Sequence, residues 1–348
     1  MMYKLFTVTV LVLLSVVAIA QKTTAGFTIV ERKDKKQVDI LYNNKLLTAY
    51  CYYDSIRKPI LFPVNTVDGI TVTRGYPIQS VAGERTDHPH HNGIWLNYES
   101  VNGLDFWNNS TAIPLDKRSH YGTIKHQRVI SKKAGGNNAS LTIATVWVRP
   151  DNKVLLNEQT TFNFTVNSSN FIIDRKTNLT ANDIPVVFKD VKDGMLAIRV
   201  ARELEMPSKE PAVFVDDKGI ETKVPPSGTA DVTGMYINSD GVKGDSVWST
   251  KGKWCILTGQ KQGKEITIGM IDHPSNVGYP AYWHARGYGL FALNPLGREV
   301  FSKGAEKLNF TLQPGQSTTM RYRIIIHSGS TLNKEQMDKF STDFAGLK

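Results

Sequence analysis

Between Phe27 and His327 the chain is a succession of short runs rich in Val, Ile, Thr and aromatic residues, each stopped by a cluster of Gly, Asn, Asp or Pro. Leu46–Tyr53, Gly93–Tyr98, Leu141–Val148, Val154–Phe164, Leu196–Val200 and Ile266–Ile271 are clear cases. Such runs predict strands, because β-branched and aromatic side chains pack well on a pleated surface and the residues between them supply turns. Tyr42-Asn43-Asn44-Lys45 and Lys133-Ala134-Gly135-Gly136-Asn137 read as hairpin connections, which impose antiparallel pairing. Parallel pairing needs a crossover between strands, usually a helix. The one good helical signal is Asn333–Phe344, where Met337, Phe340 and Phe344 recur at three- and four-residue spacing behind Thr331 as cap. The pattern predicts an all-β fold, a large antiparallel two-sheet sandwich with a short C-terminal helix.

The first residues carry a single Lys4 followed by an apolar run from Leu5 to Ile19 and the small-residue triplet Ala18-Ile19-Ala20. This predicts a cleavable signal peptide over residues 1–20, with cleavage before Gln21 and a mature chain that is exported, periplasmic or extracellular. Beyond Gln21 no apolar stretch is long enough for a membrane-spanning helix. Residues 21–348 are expected to form a single large β-sandwich domain, with a loose insertion at about 208–252 that is rich in Gly, Pro, Asp and Ser. A domain boundary within that stretch is the alternative. The formal charge of +10 is dispersed, and Arg32-Lys33-Asp34-Lys35-Lys36 reads as a solvated hairpin tip. Export makes nucleic acid an unsuitable partner, whereas an acidic polysaccharide or an anionic cell surface remains compatible with the charge. Cys51 and Cys255, each within an apolar run, are either a disulfide or two buried thiols.

Chemistry concentrates in two segments that hold five of the eight histidines. The first is Gly83-Glu84-Arg85-Thr86-Asp87-His88-Pro89-His90-His91-Asn92-Gly93-Ile94-Trp95, followed by Asn102-Gly103-Leu104-Asp105-Phe106-Trp107. The second is Asp272-His273-Pro274-Ser275-Asn276, followed by Tyr282-Trp283-His284-Ala285-Arg286. Both contain Asp-His-Pro, and both are expected to be strand ends facing one cavity. Pro89 pushes His88 toward an extended backbone, which would place His88 and His90 on one side about 6.6 Å apart, with His91 on the other.

Imidazole exchanges protons near neutral pH, and a neighbouring carboxylate fixes its tautomer. His88, His90 and His284 are therefore the candidate acids and bases, with Asp87 and Asp272 as orienting carboxylates, roles that Glu84 and Asp105 could share. Trp95, Trp107, Trp283 and Tyr282 are candidate flat walls for a sugar ring. Glu84, Arg85, His91, Asn92, Asp105, His273 and Arg286 are candidate polar contacts to its hydroxyl or carboxylate groups. His88 and His90 with a carboxylate would meet the donor requirement of a divalent metal such as iron. No Gly-x-Gly-x-x-Gly, Walker loop or Gly-x-Ser-x-Gly elbow occurs.

At His88-Pro89-His90-His91-Asn92-Gly93-Ile94-Trp95, Asn102–Trp107, Asp193-Gly194-Met195, Asp272–Asn276 and Trp283-His284 through Tyr288-Gly289-Leu290-Phe291 the sequence resembles a family of exported bacterial proteins. That family is common in polysaccharide-degrading Bacteroidetes and carried under the name "methane oxygenase PmoA". The name implies a copper or iron oxygenase. In size and strand content the chain is similar to the galactose-mutarotase-like sandwich, which houses epimerases, polysaccharide lyases and hydrolases. The leading expectation is an exported carbohydrate-active enzyme working by His/Asp acid–base chemistry on a sugar or oligosaccharide. A non-catalytic glycan-binding protein and a metal-dependent oxygenase are the alternatives.

Overall fold

A computed structural model describes residues 25–208, 211–216, 218–224 and 231–347. The expected signal peptide lies outside the described residues. Two eight-stranded antiparallel sheets face each other. The first runs, in spatial order, Phe27–Arg32, Gln37–Tyr42, Lys45–Cys51, Ile60–Val64, Ile94–Tyr98, Gly194–Arg199, Leu290–Asn294 and Tyr282–Arg286. The second runs Met235–Asn238, Trp254–Lys261, Lys264–Asp272, Ser317–Ser328, Asn170–Ala181, Val154–Asn167, Asn138–Val148 and Thr123–Gly135. The all-β, two-sheet architecture read from the sequence is the one observed.

Turn chemistry explains the pairing. Asn43 and Asn44 hold φ of 48° and 63°, the left-handed pair that a two-residue hairpin requires. In the second sheet the strand Asn138–Val148 buries Leu141, Ile143 and Trp147 toward the first sheet, the alternation expected of a sheet packed on one face. Those side chains meet Leu96, Tyr98, Leu196 and Ile198 in a continuous core. The helix Lys334–Ala345 covers the opposite face of the second sheet, with Met337 and Phe344 against Ile172, Ile256 and Ile325. Burying each such side chain contributes roughly 1.5–3 kcal/mol. Its cap is Asn333, whose side chain accepts from the Gln336 N–H while Gln336 reciprocates. Thr331, the expected cap, instead donates to Glu265, because the reciprocal Asn/Gln pair satisfies two helix donors at once.

Three strands break the alternation. Ile94–Tyr98, Gly194–Arg199 and Leu290–Asn294 are buried at every position, so the outer face of the first sheet is also covered there. The cover is supplied by the loops that carry the first histidine segment, and this is where polar side chains gather. The stretch 208–252 contains the paired strands Ala212–Val215 and Glu221–Val224, and its strand Met235–Asn238 joins the edge of the second sheet. Cys51 and Cys255 sit on different sheets as buried free thiols.

Candidate functional site

Register on the first sheet lays out a floor. Trp95 pairs with Ala197, Ala197 with Ala292, and Ala292 with His284, so the four form one row across four strands. Trp95, Ala197 and Ala292 belong to an apolar cluster separate from the core between the sheets, which places the row on the outer face. Three strand spacings separate Trp95 from His284, about 14 Å, and the two alanines between them keep the floor low. The next row is Arg199, Leu290 and Arg286.

On the Trp95 side the first histidine segment is folded around Arg74, which is 1% exposed. Its guanidinium donates to the carbonyls of Arg85, Asp87, His88 and His91 and to the Asp87 carboxylate. These bonds close a turn rather than an extended segment. His88 holds φ of 44°, and the His91 N–H donates to the His88 carbonyl. His88 and His90 therefore do not stand apart from His91 as expected. The ring centroids lie 4.8 Å apart for His88–His91, 5.6 Å for His88–His90 and 4.3 Å for His90–His91.

The surrounding charges are paired. Arg199, fully buried, donates to Asp87 and lies 3.3 Å from His91 Nδ1, and Arg85 pairs with buried Glu205. Glu84 accepts the N–H groups of Gly75 and Tyr76 and so shapes the loop from behind. Burial alone raises the Asp87 carboxyl, but the hydrogen bond from His88 and the charges of Arg199 and Arg74 outweigh it and hold Asp87 well below the carboxylate range. His91 stacks on Trp95 and meets Trp107 edge-on. Both tryptophans lie beneath the histidines, nearly unexposed, so they support the site rather than form its open walls. The more accessible rings are His88 and Tyr288, stacked at 5.1 Å. Lys58 donates to the His90 carbonyl and lies 5.2 Å from the Trp95 ring. Burial lowers its ammonium to about 7 against the pull of Asp105. Burial, reinforced by these cations, also holds His90 and His91 well below the usual imidazole range.

Across the floor, His284 Nδ1 lies 3.4 Å from the Asp193 carboxylate without the alignment of a hydrogen bond. Burial raises Asp193 to about 6, helped by Glu99 and Asp105 and opposed by Lys192. Burial lowers His284 to about 3, with Lys192 and Arg286 adding to it. Asp105 is likewise raised by burial, although it accepts from Asn108.

The second segment divides. His284 and Arg286 join the site, but Asp272 ends a strand of the second sheet, and His273 packs against Phe344 of the C-terminal helix. Asp272 accepts from Asn276 and from the Ala281 N–H. Trp283, the expected wall, points into the core between the sheets because its strand alternates and His284 takes the outer face. Tyr282 stacks on Phe301 at the sheet edge. Sequence reasoning missed Lys58, Asp193, Arg199 and Tyr288 as site residues. Asp193 and Tyr288 stood within the motifs of the resemblance, but Lys58 and Arg199 carry no local signal.

Among the described residues, His91 Nε2, Asn92 Oδ1, Trp95 Nε1, Asn97 Oδ1 and His284 Nδ1 are buried and make no hydrogen bond, and the same holds for atoms remote from the site such as Thr145 Oγ1 and the Tyr322 hydroxyl. A cation does not fit. Among the described residues no group of three or more His, Cys, Asp or Glu is placed to hold a metal ion, and His90 and His91 already sit among Lys58, Arg74 and Arg199. The donors present do not fit an iron or copper centre. Among the described residues no helix is long and apolar enough to cross a membrane.

No curated protein matches the chain. Solved structures do. The galactosidase domain of an alpha-galactosidase-sucrose kinase aligns at 8% identity with a TM-score of 0.41, covering 87% of this chain and 42% of that one. An alpha-galactosidase from Geobacillus stearothermophilus aligns at 11% identity and 0.39, covering 87% and 41%. A galactose 1-epimerase from Lactobacillus acidophilus aligns at 11% identity and 0.35, covering 87% and 98%. The chain thus spans less than half the length of the two galactosidases, and scores this low support no transfer of function. Residues 37–341 match the model of a family of unknown function, DUF6807, and the chain belongs to that family.

Proposed function

We propose that this protein is an exported enzyme that acts on a sugar or polysaccharide fragment by acid–base chemistry, as a hydrolase, lyase or epimerase. One observation carries the reading. Two buried groups of opposite kind, the Asp193 carboxyl at about 6 and the Lys58 ammonium at about 7, stand on either side of the outer-face floor, Asp193 against His284 and Lys58 over the Trp95 ring. Groups tuned by burial toward the working pH are what proton transfer requires. Asp193, beside a His284 that stays neutral, serves as base; Lys58 serves as acid. His88 and Tyr288, the more accessible rings of the site, offer apolar surface to the C–H side of a sugar. Asp87 holds His88 in place.

The test is a panel of neutral and acidic oligosaccharides followed for reducing ends, unsaturated products and change of optical rotation. D193N and H284Q are each expected to lose roughly 10²–10⁴-fold in rate. The wild-type rate should rise with pH through about 6 as Asp193 deprotonates and fall through about 7 as Lys58 does. Unchanged turnover in both variants overturns the reading. Glycan that is bound but recovered intact from the wild type establishes a binding protein instead.

A further inference from the structure

Resting on that reading, the same face bears a positive group suited to selecting among sugars. Arg286 lies two residues beyond His284 on the same face of its strand, about 6.6 Å further along. Its guanidinium carbon lies 5.9 Å from the Trp248 ring and 6.0 Å from the Tyr288 ring. These three side chains, with Pro207 and Asp245, line a cavity of 460 Å³. The other arginines around the site are each spent on a carboxylate: Arg74 and Arg199 on Asp87, Arg85 on Glu205. Arg286 has no carboxylate within ion-pair reach among the described residues, Asp245 included. It is exposed, and its guanidinium shares the Tyr288 ring with Arg199, whose guanidinium carbon lies 4.9 Å from the ring.

A guanidinium held between two rings keeps its N–H edge free, and that edge matches a carboxylate in bidentate geometry. The aromatic rings offer apolar faces to the C–H side of a sugar. We propose that Arg286, Trp248 and Tyr288 form a subsite for the carboxylate of an acidic sugar, a uronate, whose ring then lies beside the Asp193–His284 pair.

The experiment is isothermal titration of the whole protein with D-galacturonate and D-glucuronate against D-galactose and D-glucose, at low and at high salt. Wild type is expected to bind at least one uronate about tenfold or more tightly than its neutral partner, with the preference reduced by salt. R286M should abolish the preference, and R286K, which keeps charge without the planar fork, should retain only part of it. Equal affinity for acidic and neutral sugars, no binding of any probe, or a preference that survives in R286M overturns the subsite. The two proposals fail separately. A uronate preference without turnover leaves the subsite standing and removes the enzyme, whereas turnover of neutral sugars without the preference does the reverse.

Discussion

Asp87-His88-Pro89 and Asp272-His273-Pro274 are the same tripeptide in two electrostatic settings. Asp87 sits between Arg74 and Arg199, which, with His88, hold its carboxyl below the ordinary range. Asp272 is buried with no cation beside it among the described residues, and burial raises it to about 7 although Asn276 and two backbone N–H groups donate to it. His88 packs parallel to both His91 and Tyr288 at the site, whereas His273 is engaged by Ser275 and by Phe344 of the helix. The motif itself therefore carries little. What distinguishes the two is the set of distant residues that the fold delivers to each, two arginines in one case and the apolar face of the C-terminal helix in the other.

The comparison can be strained hardest at Arg199. R199M removes one of the two arginines that donate to Asp87 while Arg74 remains, so thermal unfolding should show a loss of about 1.5–3 kcal/mol, the usual worth of a hydrogen bond to a charged group. A loss below about 1 kcal/mol would mean that the first segment is not held by charge.

Next in size is a contrast in pH dependence. The folded-state pKa of Asp87 lies below its ordinary 3.8, so its stabilisation is complete above about pH 4 and is lost as pH falls below that. Asp272 has the opposite sign. Its folded-state pKa of about 7 lies above 3.8, so it lowers stability progressively from about pH 4 to about pH 7 and by a constant amount above. Melting curves across this range should show a smaller decline between pH 4 and 7 in D272N than in D87N, the remainder coming from Asp193 and Glu205, which burial raises to about 6. A decline in D272N as large as that of the wild type contradicts the assignment. The smallest effect belongs to His273, where H273A should cost about 1 kcal/mol through lost contact with Phe344 and leave turnover unchanged.

Much of the fold was legible because it is written locally. Alternating apolar residues in Asn138–Val148, the Asn43-Asn44 turn and the Met337/Phe344 spacing each act within a few residues. The histidine cluster was legible as composition but not as shape, since Arg74 bends it from outside the segment through carbonyl contacts that no spacing records. Asp193 and Lys58 were illegible as titrating groups because their burial comes from loops far off in sequence. Trp283 and His284 are adjacent, yet one faces the core and the other the site, and the sequence alone did not say which face of that strand was covered.

The central claim is that function belongs to the face bearing Asp193, His284 and the first Asp-His-Pro, and not to the second. Its most direct measurement is turnover of the best oligosaccharide substrate by D193N and D272N at equal concentrations of folded protein. The account predicts a loss of about a hundredfold or more in D193N and a rate in D272N close to wild type. A D272N variant that loses turnover while D193N keeps it would contradict the account.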